Sequence, residues 1–206
     1  MFDTIANTDR RIFSFGLPLI LRQSSFFIKG QLDRLFIYEQ YTKAELGVYS
    51  AGVQVAAVLP IVLMALNKAI VPYYYQGLKE KKLSIQSIKK YTLFCLALCI
   101  IPALIGFVLP ESVYVWFLGE KYAESKYYVV MYLLGYGANL PYLMLVNYLF
   151  FHAKNKLIAS VTVVSSIFYV VLMAVLGQYS IEYIPYALIL SNMLMVLVLW
   201  LVIERI

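Results

Sequence analysis

Six stretches of the chain are mostly apolar and long enough to cross a bilayer: 13–38, 46–72, 91–109, 127–151, 157–177 and 183–203. A helical span needs about 20 such residues, because the hydrocarbon core is about 30 Å thick and a helix rises about 1.5 Å per residue. The runs are too long, and too little alternating, for the strands of a membrane barrel. The pattern therefore predicts an all-α integral membrane protein, a bundle of about six transmembrane helices. Residues 1–206 form one such unit, and the short connections leave no room for a soluble domain. The first run differs from the others, since Arg22, Lys29, Asp33 and Arg34 interrupt it.

Composition agrees with this reading. Hydrophobic residues make up 63% of the 206 and charged residues only 14%, where a soluble domain has roughly 45–50% and about 25%. A water-soluble enzyme, a disordered chain and a nucleic-acid-binding domain are all disfavoured. The net charge of +6 has to be read by position. Ten basic residues fall on one side of the predicted bundle: Arg10, Arg11, Lys79, Lys81, Lys82, Lys89, Lys90, Lys154, Lys156 and Arg205. Three fall on the other: Lys43, Lys121 and Lys126. Positively charged loops stay in the cytoplasm, so both termini are expected there. Tyrosines at the span ends (73–75, 127–128, 183–186) fit an interfacial aromatic belt. The stretch KEKKLSIQSIKK (79–90) reads as a solvated loop leading into an interfacial amphipathic helix, and it also suits anionic lipid headgroups. The polar N-terminus and the long, charged first run argue against a cleavable signal peptide.

The charged first helix carries the most information. At about 100° per residue, Arg22, Lys29 and Asp33 fall on one narrow face. Gln23, Gly30 and Arg34 lie a quarter turn away, and Leu21, Ile28, Leu32 and Leu35 form an apolar back. A charge at mid-membrane costs about 2.5–3.5 kcal/mol on insertion scales, so the stripe must face a water-filled cavity or a partner helix. Asp33 can pair with Lys29 one turn away. Lys68, near the inner end of the second run, adds a further cation. Surplus positive charge in a wet cavity suits a phosphate or diphosphate headgroup. Arg22, Lys29, Arg34 and Lys68 are thus the candidate substrate-binding set, with Asp33 for ion coupling. The competing reading has Arg34 and Lys68 snorkelling to the interfaces while Lys29 and Asp33 form a structural pair.

Other groups refine the picture. Gln54, Asn67, Asn139, Asn147, Ser165, Ser166 and Asn192 are expected to hydrogen-bond between helices. Of these, Asn67 and Asn147 are the candidate cavity residues. Pro18, Pro60, Pro102, Pro141 and Pro185 predict kinks, as a transporter requires and as ordinary membrane helices also tolerate. Cys95 and Cys99 read as small core residues. There is no nucleotide-binding loop, HExxH or GxSxG, and one histidine, His152. The chain is therefore expected to be no enzyme and to need no metal or cofactor.

Pro18, LDRLFI (32–37), AELGVYSAGVQVA (44–56), ALNKAIVPYYY (65–75) and WFLGEKYAES (116–125) together resemble the second half of Wzx-like polysaccharide flippases. These belong to the superfamily of MATE-like transporters. Asp33-Arg34 stands at the family's Asp-Arg pair, and Gly47, Tyr49 and Ser50 at its GxYS segment. Ala69 and Pro72 stand at its A-x-x-x-P segment, and Gly119 and Tyr122 in its short outer loop. The likeness is good over 10–126 and loose over the last three helices. The family's last two helices often carry an asparagine pair and a GxxGAA stretch, where this chain has VVSSIFYVV and SIEYIPYALILS. The resemblance implies one lobe, the C-terminal half, of a transporter that flips undecaprenyl-diphosphate-linked oligosaccharide across a bacterial inner membrane. It implies as partners the lipid-linked oligosaccharide, membrane lipids and a missing N-terminal lobe or second chain, with a polysaccharide polymerase and glycosyltransferases in the same process. The alternatives are a MATE-like drug or cation antiporter, for which four intramembrane cations to one carboxylate is the wrong balance, and a non-transporting membrane subunit of a polysaccharide-assembly complex.

Overall fold

The computed structural model describes the backbone of residues 2–205 and the side chains of residues 20–204. Within that range every regular element is helical. Helix α1 runs over Phe2–Gln40, followed by α2 (Lys43–Ala56), α3 (Val58–Lys79), α4 (Ile85–Leu98) and α5 (Ile101–Val108). Then come α6 (Glu111–Leu118), α7 (Ser125–Gly137), α8 (Asn139–Phe151), α9 (Asn155–Leu176) and α10 (Ile184–Val202). Joined end to end where they abut, these make five stretches long and apolar enough to cross a membrane among the described residues: Lys43–Lys79, Ile85–Val108, Ser125–Phe151, Asn155–Leu176 and Ile181–Val202. Helix α1, the first predicted span, is long enough, but its charges set it apart from these five. It lies mainly along α9. The Arg10, Arg11 and Pro18 side chains lie outside the described range.

Three of the five stretches are broken, each three residues before a proline. The breaks are at Ala57 before Pro60, at Cys99–Ile100 before Pro102 and at Ala138 before Pro141. A proline has no N–H for the carbonyl one turn back, and its ring crowds that carbonyl, so the helix turns there. Pro185 sits in the first turn of α10, where the missing donor costs nothing. Pro72 stays inside an unbroken α3. Helix starts follow local chemistry too. Thr42 and Glu45 cap each other's backbone N–H at the head of α2, and Ser84 caps α4.

The buried side of α1 is a seam of every fourth residue, Ser25, Lys29, Asp33 and Ile37, while Leu21, Phe27 and Leu35 point outward. Of the predicted polar stripe, Lys29 and Asp33 therefore face inward, Arg22, Gly30 and Arg34 are half-buried beside them, and Gln23 is exposed. Two apolar clusters flank it. One is built around Tyr49, Tyr132, Tyr169 and Ile184, and the other around Tyr142, Leu145, Leu149, Met195 and Leu199. Helices α2 and α7 touch backbone to backbone at Gly52, where a Cβ would lie 2.6 Å from Cβ of Tyr128 and 2.8 Å from the Ser125 carbonyl oxygen. Such close approach is the use membrane helices make of small residues. Cys95 and Cys99 are free and buried, as expected.

The basic connections gather at one end of the bundle. Lys89 at the start of α4 pairs with Glu204 beyond α10, and its ammonium lies 5.2 Å from the Trp200 ring centre. In the α3–α4 turn Lys82 bridges Glu80 at 2.5 Å and, with Gln76, holds that carboxyl below its ordinary range. The opposite end joins α1 to α9 through the Tyr41 hydroxyl, which donates to the Gly177 carbonyl at 2.6 Å. There Tyr127 also donates to the Glu182 carbonyl at 2.8 Å. Two expectations need correction. The 79–90 stretch is a tight turn followed directly by α4, not a separate interfacial helix, because Ser84 caps a helix that runs straight on into the span. Residues 111–118, expected as loop, form α6, which carries the exposed Trp116 and Phe117. Of the tyrosines assigned to a belt, Tyr73 is exposed, but Tyr74 and Tyr128 are buried.

Candidate functional site

A cavity of about 360 Å³ opens between α1, α3 and α8. Two basic residues line it, Arg22 from α1 and Lys68 from α3, together with Gln23, Asn67, Asn139 and Asn147, and no acidic residue is among its lining. The break at Ala138 starts α8 with Asn139 and turns Tyr142, one turn further on, toward Arg22. Arg22 donates through Nε to the Tyr142 hydroxyl at 3.0 Å. Its guanidinium carbon lies 5.3, 5.5 and 5.9 Å from the ring centres of Phe26, Phe150 and Tyr142, within cation–π range. On the facing wall Asn147 Nδ2 donates to Asn67 Oδ1 at 2.7 Å, tying α8 to α3. Lys68 stands about three turns before the end of α3, and Phe150 closes α8, so the cavity lies in the half of the bundle nearer the basic connections. Two cations without a carboxylate give the chamber a positive potential, which suits an oxyanion.

Lys29 and Arg34 are elsewhere. Lys29 is 4% exposed and donates from Nζ to Ser165 Oγ (2.7 Å) and Asn192 Oδ1 (3.0 Å), on α9 and α10. Ser165 in turn donates to the Ser191 carbonyl at 2.6 Å, and Asn192 to the Gly135 carbonyl at 3.0 Å. The ammonium is thus sealed in a polar knot between helices. Arg34 is half-buried on the flank of α1, away from the cavity lining, with Nε unpaired among the described residues.

Asp33 is fully buried. Its Oδ2 accepts from the Tyr49 hydroxyl at 2.5 Å and the Tyr132 hydroxyl at 2.8 Å, and Oδ1 from the Arg34 backbone N–H at 2.9 Å. The two phenols also touch each other. The Asp33–Lys29 pair allowed by spacing does not form. The long lysine stem carries its charge to α9 and α10, while the short carboxylate is met by tyrosines from α2 and α7. Of the seven sequence candidates, the structure brings Arg22, Lys68, Asn67 and Asn147 together in one cavity and places Lys29, Asp33 and Arg34 outside it. The reading missed Tyr142, Phe26 and Phe150 around Arg22, and Tyr49 and Tyr132 around Asp33. The one available signal was that a buried tyrosine needs a partner for its hydroxyl. Gln54 is exposed, whereas Ser165, Ser166, Asn147 and Asn192 do hydrogen-bond between helices.

Comparison with known proteins bears on this geometry. The family described as "Polysaccharide biosynthesis protein" matches residues 5–127, the part that supplies α1, α3 and hence Arg22, Asn67 and Lys68. "Lsg locus putative protein 1" of Haemophilus influenzae is 48% identical over 189 residues, covering 92% of this chain and 47% of that protein. An "Uncharacterized membrane protein" of the same organism is 38% identical over 195 residues, covering 95% of this chain and 48% of that protein. The chain thus spans about half the length of the curated relatives it matches. No solved structure matches. With its five apolar stretches and a relative named as a membrane protein, the chain is a multi-pass membrane protein.

Proposed function

We propose that this chain, which belongs to the polysaccharide biosynthesis protein family, is one lobe of a flippase that carries undecaprenyl-diphosphate-linked oligosaccharide across the bacterial inner membrane. One observation carries the reading: Arg22 and Lys68 share an open cavity that has no carboxylate in its lining. A diphosphate headgroup leaving the cytoplasm needs compensating charge inside the membrane, and guanidinium and ammonium groups supply it. The cavity lies toward the basic end, which the positive-inside rule makes cytoplasmic, the side on which such a substrate is loaded. The apolar walls, Leu63, Met64 and Val146 among them, suit the first isoprenoid carbons. Lys29 and Asp33 then serve the bundle: each holds α1 to its neighbours through polar groups. A second lobe, as an N-terminal half or another chain, supplies the opposite wall, and the polymerase and glycosyltransferases act before and after the flip. In this role the protein moves its substrate without chemical change, so no enzyme activity belongs to it.

The test uses cells lacking their own copy and complemented with wild type, Arg22→Ala, Lys68→Ala or the double variant. Surface polysaccharide and lipid-linked oligosaccharide on the inner leaflet are measured alongside the amount of protein in the membrane. The double variant is expected to lose at least 90% of surface polysaccharide and to accumulate the lipid-linked precursor, at unchanged protein level. This expectation follows from losing two charge-assisted contacts of about 1.5–3 kcal/mol each. Normal polysaccharide in the double variant would reject the reading.

A further inference from the structure

Arg22 is held in an unusual way for a group proposed to bind an anion. A guanidinium can grip an oxyanion by two edges, one formed by Nε and a terminal nitrogen, the other by both terminal nitrogens. The first edge is taken, because Nε donates to the Tyr142 hydroxyl at 3.0 Å. Three rings crowd the group, at 5.3 Å (Phe26), 5.5 Å (Phe150) and 5.9 Å (Tyr142) from its carbon. They limit its rotamers and exclude water from part of its surface. Among the described residues nothing accepts from the two terminal nitrogens, and no carboxylate lines the cavity they share with Lys68. Tyr142 is itself 2% exposed and fixed in the core of α8, so its hydroxyl is a rigid reference point.

We infer that Tyr142 is a positioning residue that holds Arg22 end-on, so that its two terminal nitrogens grip one phosphoryl group of a diphosphate while Lys68 on the α3 wall meets the other. The inference rests on the flippase reading and adds to it a geometric preference for diphosphate over monophosphate. Without the Nε–Tyr142 bond the guanidinium could turn and offer either edge, and the ordering of the fork would have to be made good on binding. Lysine at position 22 would keep the charge but not the fork.

The test is calorimetric binding of geranylgeranyl diphosphate and geranylgeranyl monophosphate to the full chain in detergent, with melting temperature as the control for folding. Wild type is expected to bind the diphosphate at least tenfold more tightly than the monophosphate. Tyr142→Phe, at an unchanged melting temperature, is expected to bind the diphosphate roughly 10–150-fold more weakly and to lose most of that ratio, the size expected for one hydrogen bond to a charged group. Arg22→Lys is expected to lose the ratio as well, which keeps the inference testable should Tyr142→Phe fold poorly. Wild-type affinity and ratio in Tyr142→Phe or Arg22→Lys, with binding lost in Arg22→Ala, would overturn the positioning role and leave the anion cavity standing. Wild-type binding in Arg22→Ala, or no diphosphate binding by wild type, would overturn both.

Discussion

Lys29 and Asp33 stand one turn apart on α1, with opposite charges, and do not touch. Lys29 Nζ is taken by Ser165 and Asn192, and Asp33 by the hydroxyls of Tyr49 and Tyr132. The two charges are solvated by neutral groups from different neighbours, α9 and α10 for the lysine, α2 and α7 for the carboxylate. Helix α1 is thereby fastened to four others at consecutive turns.

Asp33→Ala should loosen this fastening. It removes two interhelical hydrogen bonds to Oδ2, each contributing on average about 0.6 and at most about 1.7 kcal/mol in a membrane protein. A loss of about 1–3 kcal/mol is expected, seen as a lower midpoint of thermal unfolding in detergent. Asp33→Asn keeps an oxygen for the phenols and should lose less than half as much.

Lys29→Met should separate structural from functional charge on α1. The substitution conserves length and removes a buried ammonium that has no carboxylate partner, while leaving Asn192 Oδ1 without its donor. These effects oppose each other, so stability should stay within about 1–2 kcal/mol of wild type. Polysaccharide export by this variant in complemented cells should remain above half of wild type, because Lys29 does not line the cavity. Loss of export with protein retained in the membrane would place Lys29 in the transport path.

Gly52→Ala tests the close contact between α2 and α7. The new methyl would lie 2.6 Å from Tyr128 Cβ and 2.8 Å from a backbone oxygen, neither of which is the free end of a side chain. Helices α2 and α7 must separate, at a cost of about 1–3 kcal/mol. Tyr49 and Tyr132 sit on these same two helices, so the loss should be less than additive with that of Asp33→Ala in a double variant. Unfolding midpoints of the four proteins check this.

Orientation can be read with single cysteines. Cys95 and Cys99 are buried, so an impermeant maleimide on intact spheroplasts should label Lys121→Cys and spare Lys81→Cys. Permeabilised cells should label both. The reverse pattern would invert the topology and move the cavity mouth to the outer face.

The apolar runs by themselves determined the class of fold and, to within a few residues, where most helices lie, because a bilayer requires about 20 apolar residues per crossing whatever the packing. The prolines marked where three of the crossings break, since a missing N–H acts locally. The 3.6-residue period placed the charges of α1 on its inner side. The sequence could not say which neighbour each charge meets. Arg22, Lys29 and Asp33 share a face, and spacing alone makes Lys29 and Asp33 a pair. Only the tertiary structure sends Arg22 to an aromatic clamp 120 residues away in the chain, Lys29 to a serine 136 away and Asp33 to a tyrosine 99 away. Such partners are selected by which helices lie side by side and by how far each side chain reaches, and neither is encoded in any local window. The residues that define the cavity came together for the same reason: Lys68, Asn147 and Tyr142 carry no shared motif, and their meeting depends on the turn at Ala138 and the packing of α8 beside α3.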